Sequence, residues 1–152
     1  MNFFRDLITN PYLLTGLGAW FVAQVLKTII HAIINKKVVW ERLVGDGGMP
    51  SGHSATVTSM ALFAALRCGA NSYEFAIAGI LAVIVCHDAM GVRLETGKQA
   101  EVLLELIEAF EKLTEDDLPE QKLKTFVGHT PIQVLAGITL GIVVALVMNV
   151  IL

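Results

Sequence analysis

The chain has 152 residues and a formal net charge of −3, from 11 lysines and arginines and 14 aspartates and glutamates. Hydrophobic residues make up 55% and charged residues only 16%, whereas soluble domains average roughly 25% charged residues. The length predicts one domain, and the shortage of charge argues against an ordinary soluble protein. Most charged residues fall within 36–42 and 93–124, so the other segments resemble those of an integral membrane protein.

Four apolar runs predict an all-α bundle of four transmembrane helices in a single membrane domain, residues 1–152. The first run, 11–34, has Asn10 as its expected cap and Pro11 at its first helical position. The second, 54–68, is short for the roughly 20 residues that a bilayer core requires. The third and fourth runs cover 73–92 and 131–152.

Residues 94–128, between the third and fourth runs, predict an amphipathic surface helix. Thr96 followed by Gln99 predicts a capping box near its start. We expect this insert to lie on the membrane surface or over a site. Apolar residues recur in it at steps of three and four, at Val102, Leu103, Leu106, Phe110 and Leu113.

The polar ends of the runs predict one heavily charged membrane face. With four spans, the segments 36–42 and 93–124 reach the same side, and only Arg5 and Arg67 supply positive charge at the other. Loops rich in lysine and arginine favour the cytoplasm. We therefore expect the charged face to be cytoplasmic, in the plasma membrane, with both termini outside.

The sequence Pro50-Ser51-Gly52-His53 stands where the second run begins. A helix start exposes N–H groups and a partial positive charge, which favour an anion. Ser51 adds a hydroxyl donor, Gly52 lets the backbone approach closely, and His53 can pass a proton to a leaving oxygen. A helix cap of small residues with an incidental histidine is the alternative interpretation.

His129 stands before the fourth run in a similar arrangement. Thr130 is the expected cap and Pro131 the expected first helical residue. The positive field at a helix start disfavours imidazolium, so it keeps His129 neutral and nucleophilic. The alternative is again a histidine in a capping loop.

Three cations are available to an anion at the charged face: Lys27, Arg42 and Arg93. Arginine offers a planar fork to phosphate oxygens, and lysine offers a point charge. Lys27 lies inside an apolar run, where it either faces a site or extends to the lipid head groups. Asp88 pairs with Arg93 or Lys27, orients a histidine, or forms a purely structural ion pair.

Together these motifs resemble the type 2 phosphatidic acid phosphatase (PAP2) superfamily, which also contains vanadium haloperoxidases. Its P-S-G-H motif is intact at 50–53. Its next motif is similar to Gly91-Val92-Arg93 in its first part and to HTPIQVLAG, from His129, in its second. The whole pattern, with HDAMGVRLETGKQAEVL and GHTPIQVLAG, resembles the divergent DUF212, or YuiD-like, branch over nearly the whole chain.

The resemblance implies a metal-independent phosphatase for a lipid phosphate, with no cofactor. The expected cytoplasmic site favours a lipid made inside the cell, with phosphatidylglycerophosphate as one candidate. His129 would attack phosphorus to give a phosphohistidine, and His53 would protonate the departing alcohol and then activate water. The expected partners are a phospholipid or polyprenyl phosphate, the membrane and a second copy in a homodimer, but no nucleic acid. The phosphate oxygens would be held by Lys27, Arg42, Ser51, Gly52 and Arg93.

The chain departs from the superfamily in three respects. The motif K-x6-R-P is absent, and about 35 residues separate Arg93 from His129 where the superfamily has five. Gln133 occupies the position of the aspartate that orients the nucleophile; it can hold a ring tautomer but adds no charge, which Asp88 is hypothesised to supply. The alternative function is a non-catalytic membrane protein that binds phospholipid head groups or serves as an assembly subunit.

Reporter fusions test the predicted orientation. A reporter placed within 94–128 is expected to be cytoplasmic, because the flanking segments carry most of the positive charge. The matched fusion in the turn at 69–72 is expected to report the outside. The opposite pair of results would place the charged face outside.

Overall fold

The structure, a computed structural model, describes residues 2–36, 48–114 and 128–152. Within these ranges the chain is helical and contains no strand, which confirms the predicted all-α class. Arg42 lies outside the described residues, as does 115–127 of the predicted insert. The helices are α1 (Phe3–Ile8), α2 (Pro11–Asn35), α3 (Gly52–Cys68), α4 (Tyr73–Met90), α5 (Val92–Thr114) and α6 (Pro131–Ile151).

Three stretches of the described chain are long and apolar enough to cross a membrane. They are Pro11–Asn35, Pro131–Ile151 and Tyr73–Leu113, the last being α4 with nearly all of α5. The predicted second span differs, because α3 has only 17 residues and measures about 26 Å against a bilayer core of about 30 Å. It packs instead against α2, α4 and α6, so protein rather than lipid surrounds much of it.

The helices α2, α3, α4 and α6 alternate in direction. At one end of the bundle, Tyr12 Oη near the start of α2 lies 2.9 Å from Cys68 Sγ at the end of α3. At the other end, the Ser51 N–H before α3 donates to the Gln133 carbonyl in α6 at 3.0 Å. We call this second end of the bundle the site end.

Local capping explains where α2 begins. The Asn10 side-chain oxygen accepts from the N–H groups of Tyr12 and Leu13 at 3.0 and 3.2 Å, and Pro11 is the first helical residue. Both features confirm the sequence prediction, because they depend on residues adjacent in the chain.

The predicted start of the amphipathic helix is wrong. Helix α4 ends at Met90, and α5 begins at Val92 after the single residue Gly91. Thr96 is therefore inside α5, where its hydroxyl donates to the Val92 carbonyl at 2.8 Å rather than capping a helix. The amphipathic character is present, because ion pairs such as Lys112–Glu108 lie opposite exposed apolar residues.

Helix α6 approaches α3 through a row of small residues. Gly137, Gly141 and Ala145 recur at every fourth position and are buried. A Cβ atom on Gly137 would lie 2.5 Å from the Ser51 carbonyl oxygen, and one on Gly141 would lie 2.7 Å from the Ala55 carbonyl oxygen. Small residues at this spacing let membrane helices approach to backbone contact. The distance between the starts of α3 and α6 is set by this packing.

Helix α2 carries a second buried row at the same spacing. Thr15, Ala19 and Ala23 are 0% exposed, and Lys27 is 4% exposed. Ala19 and Ala23 form a buried cluster with Ala55 of α3. Lys27 extends this row toward the site end, so the fold places a cation inside the protein.

Two matched glycine substitutions test the close packing of α6 on α3. Gly141→Ala should lower the free energy of unfolding by roughly 1–3 kcal/mol, because the new Cβ atom would meet backbone that cannot move alone. Gly18→Ala in α2 is the control, since no atom lies within 4 Å of its added Cβ. Thermal unfolding of the purified protein in detergent measures both. Equal stability of the two variants would contradict this role of Gly141.

Candidate functional site

The rings of His53 and His129 lie beside each other at the site end. Their centroids are 6.0 Å apart and their planes are inclined by 57°. His53 is in the first turn of α3, and His129 immediately precedes Thr130, the cap of α6. His129 is 2% exposed, while His53 is half-buried. The structure therefore brings together two rings that are far apart in the sequence.

The starts of α3 and α6 lie side by side, joined by the hydrogen bond from Ser51 N–H to the Gln133 carbonyl. The first amides of a helix have no acceptor within it, and they give its start a partial positive charge. Here the amides of Gly52 and His53 occupy that position in α3. Two positive helix ends next to each other favour an anion between the rings.

The Ser51 hydroxyl, at the start of α3, has a proton left to donate. It is 0% exposed, and its oxygen accepts from Ser54 N–H at 3.3 Å and Ser54 Oγ at 3.1 Å. A hydroxyl has two acceptor positions and one proton. Because both acceptor positions serve the cap of α3, the proton is left for an incoming oxygen.

The side chain of Gln133 lies against the ring of His129. Its side-chain oxygen accepts from Thr130 N–H at 3.1 Å and lies 3.4 Å from His129 Nδ1. The bond from Thr130 shows that the oxygen, not the amide nitrogen, faces the ring. An acceptor at this position favours the tautomer of the neutral ring that carries its proton on Nδ1. The same glutamine closes the capping box with Thr130.

The loop before α6 is held between α4 and α5. The His129 N–H donates to the Ala89 carbonyl at 3.0 Å. Gly128 has a φ of +87°, and a Cβ atom there would collide with the backbone of Arg93 and Leu94. Only glycine fits this position, and its close approach places His129 next to the junction of α4 and α5.

Arg93 and Asp88 form an ion pair across that junction. Arg93 Nε lies 2.7 Å from Asp88 Oδ2, and the two side chains are 48% and 43% exposed. Of the partners predicted for Asp88, the structure shows Arg93. The backbone of Arg93 lies next to Gly128, in the loop that carries His129.

Lys27 packs beneath the segment that leads into Ser51. A Cβ atom on Gly48 would lie 3.2 Å from Lys27 Cγ, and Gly48 has a φ of +86°, which favours glycine. Because Lys27 is only 4% exposed, it does not extend to the lipid head groups. The stem of Lys27 is thus directed to the site end of the protein interior.

Sequence reasoning missed two contributors to the site. The Ala89 carbonyl anchors His129, and no sequence pattern indicates a backbone contact between distant segments. Trp20 packs on the start of α3, 3.5 Å from a Cβ atom on Gly52. Trp20 stands seven residues before Lys27, and this spacing in the sequence places the two side chains on the same face of α2.

The sequence profile of the divergent PAP2 family (DUF212) matches residues 8–144. The chain belongs to this family. A relative in Bacillus subtilis (strain 168), "Uncharacterized membrane protein YuiD", is 40% identical over 94% of this chain and 96% of its own length. No solved structure matches significantly. Membership of the divergent PAP2 family confirms the resemblance found in the sequence, and the apolar helices agree with a membrane protein.

Histidine ¹⁵N NMR tests the tautomer in this divergent PAP2 family member. At a pH of about 8, where a free imidazole is neutral, His129 should be protonated at Nδ1 because Gln133 offers an acceptor there. In Gln133→Met, part of the population should move to the form protonated at Nε2. The His129→Ala variant assigns the signals, and Gln99→Met, at an exposed position on α5, is the control. A wild-type signal from protonated Nε2 would contradict the assignment.

Proposed function

We propose that this protein is a metal-independent phosphatase that hydrolyses a lipid phosphate through a phosphohistidine. The observation that carries the proposal is the 6.0 Å separation of the rings of His53 and His129. Rings this close can both reach one tetrahedral phosphate bound between them.

In the first step, the Nε2 lone pair of His129 forms a bond to phosphorus. The phosphorus–oxygen bond to the lipid breaks, and its electron pair stays on the oxygen. That oxygen takes a proton from the His53 imidazolium and leaves as an alcohol. The proton on His129 Nδ1 stays on the ring, and the Gln133 side-chain oxygen accepts a hydrogen bond from this N–H group.

In the second step, neutral His53 takes a proton from water while the water oxygen bonds to phosphorus. The phosphorus–nitrogen bond breaks, inorganic phosphate leaves, and His129 recovers its lone pair. His53 is then protonated again, as the next turnover requires. Each histidine ends the cycle in the state in which it began.

Charge on the phosphate oxygens is offset by donors and cations at the site end. The Ser51 hydroxyl and the Gly52 amide belong to the start of α3, and the buried stem of Lys27 is directed to the same end. Arg93 is positioned by Asp88, which we propose as a positioning residue. Arg42, whose spacing from Lys27 departs from the superfamily motif K-x6-R-P, is proposed as a further ligand because its guanidinium can bind phosphate oxygens. Such groups act by stabilising charge on the equatorial oxygens.

We infer a lipid substrate at the cytoplasmic face of the plasma membrane. The described helices are long and apolar enough to cross a bilayer, so a phosphate on a lipid head group reaches the site end from the interface. A cytoplasmic site favours a lipid made inside the cell, such as phosphatidylglycerophosphate. The homodimer expected from the small size of the bundle stays a prediction.

The second candidate is a membrane protein that binds phospholipid head groups without hydrolysis. One observation favours it: His129 faces the neutral amide of Gln133, which cannot stabilise an imidazolium by charge. The anion site would be the same in both cases, so only turnover separates them.

Phosphate release from a panel of lipid phosphates tests the proposed reaction. Purified protein in detergent with EDTA should release phosphate, and His129→Ala and His53→Ala should each lower the rate at least ~10²-fold. His31→Ala, at a histidine to which no role is assigned, should retain the rate. Rapid quenching with labelled substrate should trap alkali-stable phosphoprotein in the wild type and none in His129→Ala.

Two results would overturn this reaction. Full turnover by His129→Ala would show that His129 is not the nucleophile, and lipid binding by the wild type without release would favour the head-group-binding alternative.

The Asp88→Asn variant tests the role of the ion pair between Asp88 and Arg93. It should raise KM for the lipid more than it lowers kcat, because it loosens Arg93 without touching either ring.

A further inference from the structure

The side-chain oxygen of Gln24, in α2, is buried without a hydrogen-bond donor. Across residues 2–36, 48–114 and 128–152, its Oε1 is the one buried side-chain nitrogen or oxygen without a hydrogen-bond partner. The residue is 5% exposed. An acceptor left unpaired in the interior loses its hydration and gains nothing in return, and lipid around the bundle supplies no donor. Such a group in a native protein requires an explanation.

The neighbours of Gln24 place it at the level of the phosphate site. Trp20, Gln24 and Lys27 are spaced four and three residues apart and so lie on one face of α2. Trp20 contacts Gly52, and Lys27 contacts Gly48. Gln24 therefore lies between two contacts with the segment 48–52, which leads into the start of α3.

The chemistry of Oε1 restricts its ligand. The backbone carbonyl of Gln24 already accepts from the Thr28 hydroxyl at 2.9 Å, but the side-chain oxygen still requires a donor. A fully ionised phosphate has only acceptor oxygens, so it does not satisfy this atom. A hydroxyl on the alcohol part of the substrate, close to the phosphoester, does. A polyprenyl phosphate has no such hydroxyl, whereas a glycerol phosphate with a free hydroxyl has one.

We propose that Gln24 is a specificity-determining residue whose side-chain oxygen accepts a hydrogen bond from a hydroxyl beside the phosphoester. This inference rests on the proposed phosphatase function and names its substrate class. The preferred lipids are phosphate monoesters with a free hydroxyl on the carbon next to the ester carbon. A site built to hydrogen-bond a hydroxyl rejects the analogue that lacks it, because the buried partner is then left unpaired.

The test uses two lipids that differ by one oxygen atom: 1-oleoyl-glycerol 3-phosphate and 1-oleoyl-propanediol 3-phosphate, which lacks the hydroxyl. For the wild type, kcat/KM should be about tenfold higher with the hydroxyl lipid. Gln24→Met keeps the length of the side chain and removes the acceptor. It should lower kcat/KM about tenfold for the hydroxyl lipid alone, so that the preference disappears. Gln99→Met should leave the preference unchanged.

A direct binding measurement separates failure of this inference from failure of the proposed function. The quenching of Trp20 fluorescence by each lipid, with Trp20→Phe as the blank, gives the two affinities. The wild type could bind the hydroxyl lipid more tightly, lose this difference in Gln24→Met, and release no phosphate. That result would contradict the proposed phosphatase activity and support the proposed contact of Gln24 with the hydroxyl. Release of phosphate with equal kcat/KM for the two lipids, or an equal loss of kcat/KM for both lipids in Gln24→Met, would contradict the proposed Gln24 contact. Either result would still support the phosphatase activity.

Thermal unfolding controls for damage to the fold. Gln24→Met should unfold at or above the wild-type temperature, because an apolar group replaces an unpaired buried acceptor. If Gln24 instead holds a structural water, the variant should unfold at a lower temperature and lose activity on both lipids, which overturns the proposal. Gln24→Leu provides a second apolar variant, for which the same loss of preference is expected.

Discussion

The hydrogen bond from Ser51 N–H to the Gln133 carbonyl joins the starts of α3 and α6, and the geometry of the site depends on it. It forms because Gly137 and Gly141 let α6 approach the backbone of α3. With larger residues there, the helices would separate and the junction would open. The same contact places two positive helix ends together and sets His53 and His129 6.0 Å apart. Packing deep in the bundle thus determines electrostatics at its end.

Gln133 connects the fold to the chemistry of the ring. Its backbone carbonyl holds Ser51, while its side-chain oxygen serves the Thr130 amide and faces His129 Nδ1. A carboxylate at this position would add charge, but it is not required to select the tautomer. In this chain the nearby carboxylate, Asp88, is engaged with Arg93. Gln133 therefore contacts the ring without adding charge, and the Asp88 carboxylate is paired with a cation instead.

The short central helix α3 explains how polar residues are accommodated in an apolar bundle. Its buried hydroxyls find partners within the helix: Ser59 donates to the Thr56 carbonyl at 2.8 Å, and Ser54 bonds to Ser51. Helix α2 continues to Asn35, about 12 Å beyond the level of Lys27.

Sequence alone determined the all-α class, the caps at Asn10 and Thr130 and the positions of both histidines at helix starts, because these depend on residues within one turn of each other. It also showed which family motifs are intact and that Gln133 replaces an aspartate. Only the tertiary structure decided that α3 is a short buried helix, that α5 begins at Val92, and that Lys27 is buried. The sequence also could not predict the unpaired oxygen of Gln24, because burial and hydrogen bonding depend on which distant segments come into contact. Those contacts follow from the close approach of backbones, which no local pattern of residues specifies by itself.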